Sequence, residues 1–323
     1  MTSQLSLIWA VLILLAQGPD MSLAAREYLT KALDLIQANG LNSERVDWPT
    51  VRARAFSESS RAQSPAETYD AVRSVLTALG DHHSSFLTPE SMATLDQRAA
   101  AMSPSPSGSV VDGRLAHVVV PQFLSSDRGV IAGYATKLQD IVRTLDTPTT
   151  CGWIVDLRQN SGGNMWPMLA GLGPLLSTAS LGSFIGRGGE SATWSYENGA
   201  ARLGRTETVR VSDAPYHLRQ ATPPIAVLVG ARTASSGEAI AIAFRGNPNT
   251  RSFGQHTRGL TTANSTFTLS DGAMIVLTQA IDTDRNGQVY DDGVTPDVLT
   301  EAAEDGVPTA ARRWLLDQPA CHQ

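Results

Sequence analysis

The stretch Ile225-Ala226-Val227-Leu228-Val229-Gly230-Ala231-Arg232-Thr233-Ala234-Ser235-Ser236-Gly237-Glu238 decides how this chain is read. Five apolar residues make a buried-type strand, small residues make a turn, and the apolar run 239–244 reads as a helix. A strand that turns into a helix through small residues holds a serine hydroxyl exposed, with the helix N-terminus beside it to favour developing negative charge. Ser235 is therefore the leading nucleophile candidate. Taken alone, the segment also fits a plain helix cap by Ser235 or Ser236, a frequent use of serine.

Working outward, strand and helix patterns alternate. Residues 115–120, 152–157 and 225–229 read as strands, and 131–145 and 165–176 as helices, which predicts an α/β core. Residues 26–79 read as helices, with Leu29, Leu33, Leu35 and Ile36 forming one apolar stripe. The Ser-Pro-Ser-Pro-Ser-Gly run within 101–108 reads as a linker.

Two more segments carry candidate chemistry. Leu79-Gly80-Asp81-His82-His83-Ser84-Ser85-Phe86 follows the helical pattern of 69–79, so its histidines leave a helix end on a Gly-Asp turn. Imidazole titrates near neutrality, and a serine hydroxyl needs such a base. Dipole-favoured histidines at a helix C-terminus and a metal site are the alternatives; without a further Cys/His cluster the metal site is the weakest. In Asp156-Leu157-Arg158-Gln159-Asn160-Ser161-Gly162-Gly163, a buried-type strand enters a turn whose glycines let backbone N–H groups converge on an anion. By itself that is only a tight turn.

Together, in this order, the three segments resemble the tail-specific, or carboxyl-terminal-processing, serine peptidases and their tricorn-type relatives. Those run roughly Gly-Asp-x-His-Ser-x-Phe, Asp-Leu-Arg-x-Asn-x-Gly-Gly and Thr-Ala-Ser-x-x-Glu. Gly293-Val294-Thr295-Pro296-Asp297 resembles the family's closing Gly-Ile-x-Pro-Asp. The resemblance spans residues 28–298 and implies a mixed-sheet α/β catalytic core with an N-terminal helical cap. The expected organisation is an export signal over 1–24, a cap carrying the histidine over 25–105, and the peptidase core over 106–323.

The tail-specific branch uses a Ser-Lys dyad, but Leu260 stands where that lysine falls, and the only lysines, Lys31 and Lys137, lie far upstream. The tricorn-type branch uses the histidine of the first motif, which maps onto His83, with a late acid in support. Asp291 is the residue expected there, with Asp292 its neighbour, although the family's glutamate aligns nearer Tyr290. The same mapping assigns the oxyanion hole to the N–H groups of Gly162 and Ser236. Many members insert a peptide-binding PDZ domain before the Asp-Leu-Arg motif; only about thirty residues separate Phe86 from Leu115, too few for one. The resemblance implies a Ser-His peptidase acting on flexible polypeptides, with a bias toward chain ends and no cofactor or metal. Two rivals remain: a non-catalytic binding module like the family's retinoid-binding relatives, and a Ser-His esterase. The esterase fold needs Gly-x-Ser-x-Gly, where Thr233 replaces the first glycine, and a late histidine, for which only His256 and His322 are available.

Composition limits the remainder. A net charge of −6 with scattered arginines argues against a nucleic-acid partner. The apolar run 6–16 is too short to span a bilayer, so a cleaved export signal is expected rather than stable membrane insertion, with Ser22-Leu23-Ala24 as a cleavage site. The n-region lacks Lys and Arg, and initiation at Met21 would instead make the protein cytoplasmic. Cys151 and Cys321 are expected either to pair, as export would favour, or to remain buried thiols. Asp282-Thr283-Asp284-Arg285-Asn286-Gly287 opens like a calcium loop, but Gly293 stands where the bidentate glutamate is needed, so a hairpin turn is expected.

Overall fold

The computed structural model describes residues 20–94, 104–176, 180–212, 214–301 and 307–322. The apolar run 6–16 and part of the linker at 101–103 lie outside them. In chain order come α1 (Leu23–Asn39), α2 (Trp48–Glu58), α3 (Tyr69–Ala78), β1 (Ser85–Leu87), β2 (Ser107–Val111), β3 (Leu115–Val119), α4 (Arg128–Leu145), β4 (Gly152–Asp156) and α5 (Met165–Leu172). Then follow β5 (Ser180–Gly186), β6 (Ser191–Glu197), β7 (Ala200–Leu203), β8 (Thr206–Arg210), β9 (Ile225–Val229) and α6 (Ser236–Ala243). The last elements are β10 (Thr250–Gly254), β11 (Thr262–Thr268), β12 (Met274–Asp284), β13 (Val289–Tyr290), β14 (Val298–Leu299) and α7 (Thr309–Leu316).

One sheet has the order β14-β10-β9-β4-β3-β2, parallel except for the β2–β3 pair. Every residue of β4 and β9 is buried, as a sheet covered on both faces requires. On one face α4, α5 and α6 enclose Leu138, Val155, Leu169, Val227 and Ile240. On the other, α7 packs Ala311 and Leu315 against Ile154, Ala226 and Phe253. The two cysteines are joined beside this second cluster: Cys151 and Cys321 form a disulfide across 170 residues.

The other sheet runs β1-β12-β5-β6-β7-β8, with β11 and β13 also paired to β12. Helices α1 to α3 share a core with it, in which Leu29, Leu33, Val72 and Val75 meet Ile275 and Leu277 of β12. Among the described residues these three helices therefore share one core with β12. Ser22 caps α1 by accepting from Ala25 N–H at 3.2 Å, and its own N–H donates to Ala62 O at 2.9 Å. The calcium-like loop is a hairpin turn between β12 and β13, in which Asp284 accepts from the N–H groups of Asn286 and Gln288 at 2.8 and 3.0 Å.

Candidate active site

β4 and β9 are neighbours in the parallel sheet, so the turns leaving their carboxyl ends meet, the usual place for a site in an α/β sheet. Ser235 sits at the second turn with φ +50° and ψ −121°, a conformation side-chain-bearing residues rarely adopt and that costs on the order of 1–3 kcal/mol. Two sets of contacts hold it. Glu238, fully buried one turn into α6, reaches back to accept from Ser235 N–H at 2.7 Å. From the β4 side, Gly162 approaches so closely that a Cβ there would lie 2.9 Å from Ser235 Cβ, and its φ of +107° also demands glycine.

Asn160, fully buried, organises the meeting of the two turns. Its Oδ1 accepts from Gly162 N–H at 3.0 Å, its Nδ2 donates to Val120 O at 3.1 Å, and its carbonyl accepts from Ala234 N–H at 3.0 Å. In the sequence it stands only as one residue of a polar turn. Gly162 N–H, expected in the oxyanion hole, is thus already directed at Asn160. Ser236, at the first position of α6, donates through its hydroxyl to Gly163 O, which ties the two turns together. Asp156 and Arg158 form a two-pronged pair at 2.9 and 2.6 Å. Burial alone would raise the Asp156 pKa, but hydrogen bonds from His117 and Arg158 outweigh it and bring the value down to about 2.

His83 comes from the other half of the molecule. Asp81 accepts from His83 N–H at 3.1 Å, Ser84 N–H at 2.6 Å and Thr278 Oγ1 at 3.1 Å, fixing the turn onto β12. Asn264 of β11 donates to His83 O at 3.3 Å. The ring is held from β11, with Nδ1 2.7 Å from Thr262 Oγ1. Burial lowers the His83 pKa, against a smaller upward pull from Asp81. The residue lines a cavity of about 530 Å³ together with Arg45, Asp81, Arg187, Leu260, Thr262 and Asp291. Asp291 thus shares the cavity, but the ring partner is Thr262. His82 is exposed, and the His256 ring is turned to Thr257 O at 2.8 Å.

The two halves are connected by Glu238. Besides Ser235 N–H, its carboxyl group accepts from Thr257 Oγ1, from Gly259 N–H at 2.9 Å and from Leu260 N–H at 2.8 Å. The loop it grips leads within two residues to Thr262 and hence to His83. Beside it, Asp282 is buried with an unpartnered Oδ1, and burial followed by the nearby Glu238 pushes its pKa well above the usual carboxylate range.

With this arrangement in view, the sequence comparisons are specific. Residues 114–300 match the family described as peptidase family S41. The chain belongs to that family. It is 30% identical over 294 residues to the nisin-resistance protein of Lactococcus lactis subsp. lactis, covering 91% of this chain and 87% of that one. It is 29% identical over 184 residues to the carboxy-terminal processing protease CtpA of Bacillus subtilis, covering 57% of this chain and 34% of the relative. Among solved structures, a lipoprotein from Streptococcus agalactiae matches with a TM-score of 0.77 and 28% identity, covering 91% of this chain and 96% of that one. The photosystem II D1 C-terminal processing protease matches with a TM-score of 0.62 and 16% identity over 93% and 99% of the two chains, a likeness of fold. This S41 chain has the tail-specific-protease core, and among the described residues no PDZ domain lies between its histidine and Asp-Leu-Arg segments.

Proposed function

We propose that this S41 peptidase cleaves flexible polypeptides with Ser235 as nucleophile and His83 as general base. The observation that carries this reading is the strained Ser235 turn bound through Glu238 to the same loop that presents Thr262 to His83. In the reaction, His83 takes the Ser235 Oγ proton and the oxygen attacks the peptide carbonyl. The Ser236 N–H would donate to the developing oxyanion, and Gly162 N–H, which donates to Asn160 Oδ1 in the free protein, would join by sharing its hydrogen. The amine departs with the proton from His83, and water then repeats the sequence on the acyl-enzyme.

Substrate lies in the cleft between cap and core. The cavity around His83 adjoins a second of about 550 Å³, the two sharing Glu44, Gly186 and Arg187. Arg187, on the β5–β6 turn, donates to Ala38 O at 3.2 Å and Gly40 O at 3.4 Å at the end of α1. A chain laid along these two half-open cavities would lie extended, which costs little for a disordered tail and much for a packed domain. This favours endoproteolysis near chain ends, and a relative described as a nisin-resistance protein makes nisin a substrate worth testing.

Action outside the cytoplasm fits the Cys151–Cys321 disulfide and a relative described as a lipoprotein. No described helix is long and apolar enough to cross a membrane. Cleavage after Ala24 would remove the Ser22 cap and the first residues of α1, so an exported form that keeps α1 intact is cut before Ser22.

A fluorophosphonate probe is expected to label the wild type and neither Ser235→Ala nor His83→Ala. Mass spectrometry of digests of a disordered tail, and of nisin, reads the cleavage sites. Labelling of Ser235→Ala at the wild-type level would refute the assignment.

A further inference from the structure

We infer that Thr262 is the residue that positions the catalytic base, a hydroxyl standing where serine peptidases with a triad place a carboxylate. This rests on the Ser235–His83 reading. For the imidazole to take the serine proton, Nε2 must carry the lone pair, so Nδ1 must carry the hydrogen and find an acceptor. Thr262 Oγ1 lies 2.7 Å from Nδ1, the length of a good hydrogen bond.

The acceptor is well fixed. Thr262 opens β11 in register with Ile281 of β12, and a β-branched side chain has few χ1 choices. Two residues earlier, Leu260 N–H is held by Glu238, which also holds Ser235 N–H, so base and nucleophile are set by the two ends of one short loop.

The nearby carboxylates are otherwise placed. Asp81 is engaged by His83 N–H, Ser84 and Thr278. Asp291 is exposed, and Asp282, fully buried, faces Glu238. The charged and titratable groups sharing the cavity with His83 are Glu44, Arg45, Asp81, His82, Arg187 and Asp291. A neutral acceptor selects the Nδ1–H tautomer without adding a negative charge against the ring, so the imidazolium gains less than it would beside a carboxylate. The base stays unprotonated into mildly acidic solution, where a carboxylate-supported histidine would already be charged.

The test compares Thr262→Val, which keeps the shape and removes the hydroxyl, with Thr262→Ser, which keeps the hydroxyl. Thr262→Val is expected to lower kcat on the order of tenfold with KM little changed, the scale of one lost hydrogen bond. Its acid limb in the kcat/KM profile should also move to lower pH, because the lost acceptor had favoured the charged ring. Thr262→Ser is expected to restore most of kcat, with thermal melting checking that both variants fold. Wild-type kcat in a folded Thr262→Val would overturn the inference, as would equal loss in both variants, which would mark a packing role. A drop in Asp291→Asn with Thr262→Val unaffected would also overturn it by moving the role to Asp291. Ser235→Ala and His83→Ala are run alongside. If they lose activity while Thr262→Val does not, only this inference fails; if they remain active, the underlying reading fails.

Discussion

Ser235 and His83 are held in opposite ways, and the difference follows from where each sits in the fold. The serine is built by the parallel sheet: two adjacent buried strands, a glycine with no room for a Cβ, and a helix starting at the next residue. The histidine lies on a short turn whose anchors come from β11 and β12, 179 to 197 residues away in sequence, through side chains. The first arrangement rests on the backbone ladder, to which the Glu238 and Asn160 side chains add their hydrogen bonds. The second is a set of individual hydrogen bonds, each worth about 0.5–1.5 kcal/mol net, and so more easily undone.

The largest expected effect lies in the core half. The disulfide closes a loop of 170 residues, which in the chain-entropy limit is worth about 5 kcal/mol. Replacing both Cys151 and Cys321 by Ser should lower the unfolding free energy by up to that amount, read by denaturant titration. A change below about 1 kcal/mol would mean that the packing of Ala311 and Leu315 alone secures α7.

Next in size is the proposed nucleophile. Ser235→Ala should reduce kcat on the order of 10³-fold or more, equivalent to about 4 kcal/mol. The fold should remain, because alanine keeps the Cβ and leaves the strained backbone conformation as it is. Retained activity would remove the contrast drawn above by showing that the serine turn is only a helix cap.

Asp81→Ala probes the other side. It takes an acceptor from His83 N–H, Ser84 and Thr278 at once, while leaving the Ser235 and His83 side chains in place. A loss of kcat on the order of 10²-fold is expected, within the range that removing general-base help produces. The sheet that carries Ser235 should melt unchanged. If Asp81→Ala is fully active, the histidine turn is held by β1 pairing to β12 and the contrast between the halves weakens.

The same difference explains what could be read in the chain. The alternation of strand and helix patterns places helix 131–145 and strands 152–157 and 225–229 to within a few residues, because each pattern is local and these strands are buried on both faces. Helix 165–176 was overextended: α5 stops at Leu172, and Gly173-Pro174 makes a tighter turn. Nothing local distinguished Asn160 from other turn residues, since its partners Val120, Ala234 and Gly162 converge only in the fold. Thr262 was invisible for the same reason; a threonine at a strand start is ordinary until a histidine 179 residues earlier is laid against it. The acid expected at Asp291 came from aligning a motif, and a motif carries no record of which side chain the ring nitrogen will meet.

Acidification separates the halves with the smallest of these effects. The Asp156 pKa lies at about 2, below its ordinary 3.8, so it contributes stability that is present above the ordinary value and is lost as pH falls toward 2. The shift corresponds to roughly 2 kcal/mol, and Asp156 is buried enough for most of it to be felt. His83, lowered from 6.5, must be unprotonated to serve as the proposed base, so activity is expected to be lost as pH falls through its depressed pKa while the core is still folded. Activity and circular dichroism followed together from neutral pH downward should therefore show turnover failing first and reversibly, then unfolding. Asp156→Asn should bring the unfolding forward by roughly 2 kcal/mol at neutral pH, flatten its acid dependence and leave the activity limb where it was. Coincident loss of activity and structure in the wild type would mean that the histidine turn and the serine turn do not fail independently, and that the cap is as firmly built as the sheet.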